Sequence, residues 1–514
     1  MFKMDLLKSR IAGNAGFIIV FIVLFFVYGL HETFFYPPQS VHVWRQTNCL
    51  SIAQNYYQHD LPFFEPEIHN QFCDEGLTGK AVGEFPMIYY LVAQLWGLFG
   101  QHEWIFKLVQ IAIFFSGLFY LFSALRILLK NQFWAGFASL LIFTSPMVVF
   151  YGPNFLPDVP ALAFVFMAWF LVFKFLEKRK AYNLWLSSLM FCIAMLLKIT
   201  SAISFIALGG WVVFELLIMN DNERLFRFKL KHFLPFLLVL LPIISWYLYA
   251  DYYNNTHRGH FSFHGIWPVW NMTMEHFNRV IDALDKIYFK ELFLPFTQYL
   301  TLAIWLYLIV TIKKLKPILR YFIIVLPMGF LIELMLWFQV LEGHDYYMIN
   351  LLIVFAAVWG IFLLQMKKLK PVFSILAYAL AIGFFIWNVN TCCIRTHARY
   401  QGWMNEMFQR DMKALTEIEP SFEKWGINRD DKVISIPDFT INGSLYYMNR
   451  KGYTDFGNDF SKEENFDLRI KQGAKYLIVS DSITIKKEVL QNFIKEPIGQ
   501  YKNIHVFNLQ NIKQ

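Results

Sequence analysis

Charge is scarce in this chain, and cysteine scarcer still. Only 16% of its 514 residues are Asp, Glu, Lys or Arg, against 57% hydrophobic and 19% aromatic, whereas a soluble domain carries about 25% charge. That balance excludes an ordinary water-soluble globule. Five cysteines without a CxxC spacing exclude a disulfide framework and a cysteine zinc site. Cys192 lies in an apolar run as a small core residue, and adjacent Cys392 and Cys393 read as packing at the membrane surface. Cys49 and Cys73 share one expected external loop and are placed to pair if that compartment is oxidising. There is no fixed-period repeat, and no matched pair of broken helices of the kind that marks transporters built from inverted halves. An Asp-x-Asp motif is also missing, so the site is expected to work without a cofactor, with a divalent metal left open.

What is present is a series of apolar runs of about twenty residues, the length that crosses a bilayer, and a mean hydropathy of +0.40. The formal net charge of +8 does not point to nucleic acid, because the basic residues sit in short clusters between those runs. Clusters of that kind mark cytoplasmic loops. After a basic start (Lys3, Lys8, Arg10), the run 15–30 lacks a small-residue cleavage site and reads as an uncleaved first span. Further spans are expected at 105–126, 133–152, 158–177, 182–199, 201–218, 232–250, 293–312, 319–340, 347–365 and 371–390, giving about eleven. With the N-terminus inside, the flank Arg126 to Lys130 falls inside. So do Lys178, Arg179 and Lys180; Arg224, Arg227, Lys229 and Lys231; Lys313, Lys314 and Lys316; and Lys367, Lys368 and Lys370. The segment 85–100 contains Pro86 and would break this parity, so it is expected at the outer surface.

The reading is therefore a polytopic α-helical membrane protein in a plasma membrane, with residues 1–390 as the membrane domain and a large external loop at 32–104. Residues 391–514 are expected to form a small extracytoplasmic α/β domain, since strand-like runs at 432–436, 474–479 and 504–509 alternate with polar helical segments. Ionisable residues gather at the outer face. Buried charge is costly unless used or paired, so these are the site candidates. The first loop supplies His42, Arg45, Gln46 and Asn48 in HVWRQTNCLSIAQNYY, then Asp74, Lys80 and Glu84 before FPMIYYL. Asn154 and Asp158 stand in YGPNFLPDVPAL, Lys198 in MLLKITS, and His344, Asp345, Tyr346 and Tyr347 in GHDYYMINLL.

On these motifs the chain resembles the GT-C glycosyltransferases that use polyprenyl-phosphate sugars, in particular the protein O-mannosyltransferases of glycosyltransferase family 39 and the aminoarabinose transferases of lipid A. The resemblance rests on the large first loop, EFPMIYYLVAQLWGLFG with the following KLVQI, the PDVPAL turn and the HDYY turn. It implies a GT-C fold, a lipid-phosphate sugar donor entering from the bilayer, an extracytoplasmic acceptor, and transfer with inversion as the family precedent. Cations should then stabilise the departing phosphate. Arg45, Lys198 and His344, with Tyr346, fit that role, and Asn48, Asn154, Asp345 and Tyr347 fit substrate binding. A carboxylate should take the acceptor's proton. In the family this is an acid early in the first loop, yet the stretch here reads WRQTN. Either another carboxylate, such as Glu84, Asp158 or Asp74, has the role, or His42 does. Blander readings stand beside these: Asp158 as a helix cap, Glu84 as a marker of the water boundary, and the tyrosines as interfacial belt residues. The rival functions are a lipid-linked glycan ligase or polymerase, a transporter or flippase, and a non-catalytic scaffold.

Overall fold

The computed structural model describes residues 2–220, 224–225, 232–258, 265–366 and 371–512. Six of the basic loop residues, Arg227, Lys229, Lys231, Lys367, Lys368 and Lys370, lie outside the described residues. The chain divides into two compact units. The first comprises 1–35, 107–246 and 265–397, and the second 36–106, 247–264 and 398–514.

The first unit is helical. Across the described residues, eight helices are long and apolar enough to cross a membrane, or up to nine if the bent pair Met274–Leu292 and Pro295–Val310 is one span. Two expected spans fold differently. The run 133–152 starts where the Asn131 side chain accepts from Trp134 N at 3.0 Å, then stops after 11 residues, Gln132–Ile142. A second short helix, Pro146–Tyr151, begins behind Ser145, with Pro146 in its first turn. Proline there supplies no amide and is already set for a helix start, so the chain is redirected rather than continued. The run 182–199 ends at Leu197, where Lys198 turns to an extended backbone of φ −156° and ψ 115°. Its helix lies against Asp158–Lys178, with the Ser187 hydroxyl donating to Ala168 O at 3.0 Å. At Gly117 an added Cβ would fall 2.4 Å from that of Ala163. Glycine there lets the helix Glu103–Leu129 approach Asp158–Lys178 closely, the small-residue packing that membrane helices use.

The second unit is built on a mixed five-stranded sheet. Its strands are β1 (Lys432–Ile436), β2 (Gly452–Thr454), β3 (Ala474–Val479), β4 (Pro497–Tyr501) and β5 (Ile504–Asn508), in the order β2-β1-β3-β5-β4. β1 runs parallel to β2 and β3, and β5 antiparallel to β3 and β4. Side-chain alternation divides the strands between two cores. Val433, Ile478 and Val506 pack with Ile418, Phe422 and Leu445, while Ile434, Leu477 and Phe507 pack with Tyr453 and Phe466. Phe72 belongs to the second of these cores. The segment around it runs along β2: Gln71 N donates to Gly452 O at 2.8 Å and Gly452 N to His69 O at 3.1 Å. The early loop and the tail thus share one unit. Later in the same loop, Met87–Phe99 forms a helix of 13 residues, too short to cross about 30 Å of hydrocarbon.

Candidate functional site

In the first unit the redirected chain ends deliver polar side chains to one place. Pro157 precedes the helix that starts at Asp158, and the break after Leu197 presents Lys198. Lys198 Nζ lies 3.2 Å from Asp158 Oδ1, with side-chain exposures of 9% for the lysine and 0% for the aspartate. The same ammonium sits over the rings of Tyr347, at 4.3 Å, and Tyr346, at 5.1 Å. His344 stacks on Tyr346 with ring centroids 5.5 Å apart. Asp345 accepts a hydrogen bond from the Tyr151 hydroxyl at 2.5 Å. Asn154, also buried, donates to Phe150 O at 2.6 Å within its own turn. Asp158, Lys198, His344, Asp345, Tyr346 and Tyr347 are therefore one cluster of carboxylates, cation and aromatic rings.

Two members of this neighbourhood were not among the sequence candidates. Tyr151 is completely buried and holds Asp345. Glu333, 6% exposed, stands within electrostatic reach of Lys198, and its Oε1 has no hydrogen-bond partner among the described residues. The signal for Glu333 was available: it is an acid inside the apolar run PILRYFIIVLPMGFLIELML, where an ionisable residue is by default a functional candidate.

The second unit contains another cation–carboxylate pair. Arg45, on the helix Val43–His59, donates through Nη2 to Glu84 Oε1. Here the arginine is 3% exposed and the glutamate 15%. His42 stands just ahead of that helix with φ 55°, a left-handed backbone uncommon for a residue with a side chain. Gln46 donates to the carbonyls of Gln39 and Val41 at 3.0 and 2.8 Å. Asn48 accepts from Asn442 at 2.8 Å, and Asn442 also accepts from Asn70 N at 2.9 Å. Gln46 and Asn48 thus hold the fold of the unit. Asp74 does likewise, accepting from Thr78 at 2.6 Å and lying 3.0 Å from His257 Nδ1. Burial pushes its carboxyl up, but the hydrogen bonds from Thr78 and His257 outweigh this and leave it below the usual range. Among the described residues, no group of three or more His, Cys, Asp or Glu side chains is placed to hold a metal ion.

Solved structures share this architecture. A crystal structure of ArnT from Cupriavidus metallidurans aligns with a TM-score of 0.58 at 10% identity, covering 98% of this chain and 99% of that one. The form of ArnT bound to undecaprenyl phosphate aligns equally well, covering 97% and 99%. The Archaeoglobus fulgidus oligosaccharyltransferase aligns with a TM-score of 0.55 at 11% identity, over 94% of this chain and 73% of that one. The chain has the GT-C fold. Within that GT-C chain, residues 83–249 are similar to the family described as dolichyl-phosphate-mannose-protein mannosyltransferase, a match over less than half of its length. The apolar helices and the GT-C relatives together make it a multi-pass membrane protein. No curated protein matches the sequence.

Proposed function

We propose that this chain transfers a sugar from a polyprenyl-phosphate donor to an acceptor outside the cytoplasm, with Lys198 meeting the donor phosphate and Glu84 taking the acceptor's proton. In this reaction the acceptor O–H attacks the anomeric carbon, the bond from that carbon to the phosphate oxygen breaks, and polyprenyl phosphate leaves with the electron pair. Negative charge grows on the phosphate, so a cation in a water-poor site lowers the barrier. The freed proton needs a base within reach.

The observation that carries the assignment is an opposite pattern of exposure in the two ion pairs. Asp158 is sealed and leaves its lysine as the reachable partner, whereas Arg45 is nearly sealed and leaves Glu84 as the reachable partner. Asp158 then positions Lys198, and Arg45 positions Glu84. The GT-C fold and the family match at 83–249 support the donor class, as does the undecaprenyl phosphate bound to ArnT. The basic clusters support a cytoplasmic N-terminus.

The test is transfer of radiolabelled sugar from a native lipid extract to acceptor by the purified chain and by variants with Glu84, Lys198, Asp158, Arg45 or His42 changed to alanine. Label on acceptor with the unaltered chain, lost in the Glu84 and Lys198 variants at normal folding, is the expected result. Loss confined to the His42 variant would move the base to His42. Normal transfer by all five variants would refute the site.

A further inference from the structure

A cavity of the membrane unit, about 410 Å³ in volume, is lined by Lys130, Trp134, Ile304, Phe362, Ala377 and neighbouring residues. None of them takes part in the chemistry above. Its walls are fixed by polar and ring contacts. Trp359 Nε1 donates to Thr301 Oγ1 at 2.9 Å, and the Trp359 ring stacks on Phe384 with centroids 5.8 Å apart. Trp134 stacks on Tyr378 at 5.1 Å, whose hydroxyl accepts from Asn131 Nδ2 at 3.2 Å. The cavity is therefore formed before anything enters it.

Its chemistry is divided. The body is aliphatic and aromatic and reaches the outside of the helix bundle at Leu380, which is 63% exposed. An apolar space of this kind is not held open by ordered water, which needs several polar partners. At one end stands Lys130, exposed, on the turn that closes the helix Glu103–Leu129 with φ 49°. Beside it are the Trp134 and Tyr378 rings, the residue types that mark the depth of lipid headgroups. An apolar slot between membrane helices with a lysine at its mouth matches a phospholipid in both parts: a chain for the slot and a phosphate for the ammonium.

We propose that this cavity holds an acyl chain of an anionic phospholipid whose phosphate pairs with Lys130. The inference does not depend on glycosyl transfer, and its test reads lipid rather than activity. The full chain is reconstituted in vesicles of phosphatidylcholine with a minor share of phosphatidylglycerol, then extracted in mild detergent, and the retained lipid is measured by native mass spectrometry. Phosphatidylglycerol should be retained about fivefold over its share, the preference that one lysine near an anionic headgroup supplies. Lys130→Gln should remove the preference, Lys130→Arg should keep it, and Ala377→Phe should remove retention of both lipids at an unchanged unfolding temperature. Equal retention of the two lipids by the unaltered chain would overturn the proposal. So would phosphatidylglycerol retention indifferent to both Lys130→Gln and Ala377→Phe. If instead Ala377→Phe changed the oligomeric state and left lipid retention intact, the cavity would belong to an interface between copies.

Discussion

The ion pairs Lys198–Asp158 and Arg45–Glu84 each join a cation to a carboxylate, with opposite members exposed. In the first the carboxylate is fully sealed and the cation slightly open; in the second the cation is almost sealed and the carboxylate is the more open. A pair's function follows from its reachable member, and its sealed member sets the stability. A cation whose counter-ion cannot leave keeps its position and can still face an anion. A carboxylate clamped by a buried guanidinium keeps its orientation and can still face a hydroxyl.

The largest effect should come from Glu84→Gln, which keeps shape and removes the base. Transfer should fall about 10²- to 10⁴-fold while the unfolding temperature shifts little, read by label transfer beside thermal unfolding. Asp158→Ala should behave the other way round, costing about 3–5 kcal/mol of stability by removing the carboxylate paired with a buried lysine. Thermal unfolding of that variant against Asp158→Ala/Lys198→Met would check it: the double variant should regain most of the lost stability and remain inactive. A single-variant loss that the double variant does not recover would show that the charge of Lys198 is not what makes the substitution costly.

Burial also ties stability to pH in the second unit. His69 lies 2.7 Å from the Ser51 hydroxyl, and burial, with Lys451 adding to it, lowers its pKa to about 3. The folded state therefore keeps His69 neutral while the unfolded chain takes up a proton below about pH 6.5. The unfolded state binds more protons in that window, so stability is complete above pH 6.5 and falls as pH drops toward 3, by at most about 1.4 kcal/mol per pH unit. Hydrogen exchange of β1 and β3 as a function of pH, with and without His69→Gln, measures it, and the slope should flatten in the variant. The smallest effect is expected at Arg258–Glu75, whose side chains are 74% and 76% exposed. Glu75→Gln should change stability by under about 1 kcal/mol, and a larger loss in thermal unfolding would show that exposure is a poor guide here.

The sequence announces elements better than it announces meetings. β1 and β3 fall on the runs 432–436 and 474–479, because the alternation of side chains and the alternation of cores are one pattern. β2 is three residues long and β4 begins at Pro497, so neither carries a run to detect. The break at Phe143–Ser145 was hidden by uniform hydropathy on both sides of it. Within the site, Asp158, Lys198 and the HDYY residues were each visible as charge or ring out of place among apolar neighbours. Their pairing was not, since 40 residues separate Asp158 from Lys198, and only the packing of two helices brings them to 3.2 Å. As a polar residue of the outer-face loop, Asn48 reads in the sequence as a substrate-binding candidate. Its partner, Asn442, lies 394 residues away.

Glycosyl transfer by this chain is tested most directly by following both products at once. Purified chain is given a radiolabelled polyprenyl-phosphate sugar in vesicles with an external acceptor, and labelled acceptor and free polyprenyl phosphate are counted together. The two should rise in equal amounts with the unaltered chain, and neither should rise with Glu84→Gln. Labelled lipid or solute crossing the vesicle membrane intact, with no polyprenyl phosphate released, would contradict glycosyl transfer and make the chain a transporter.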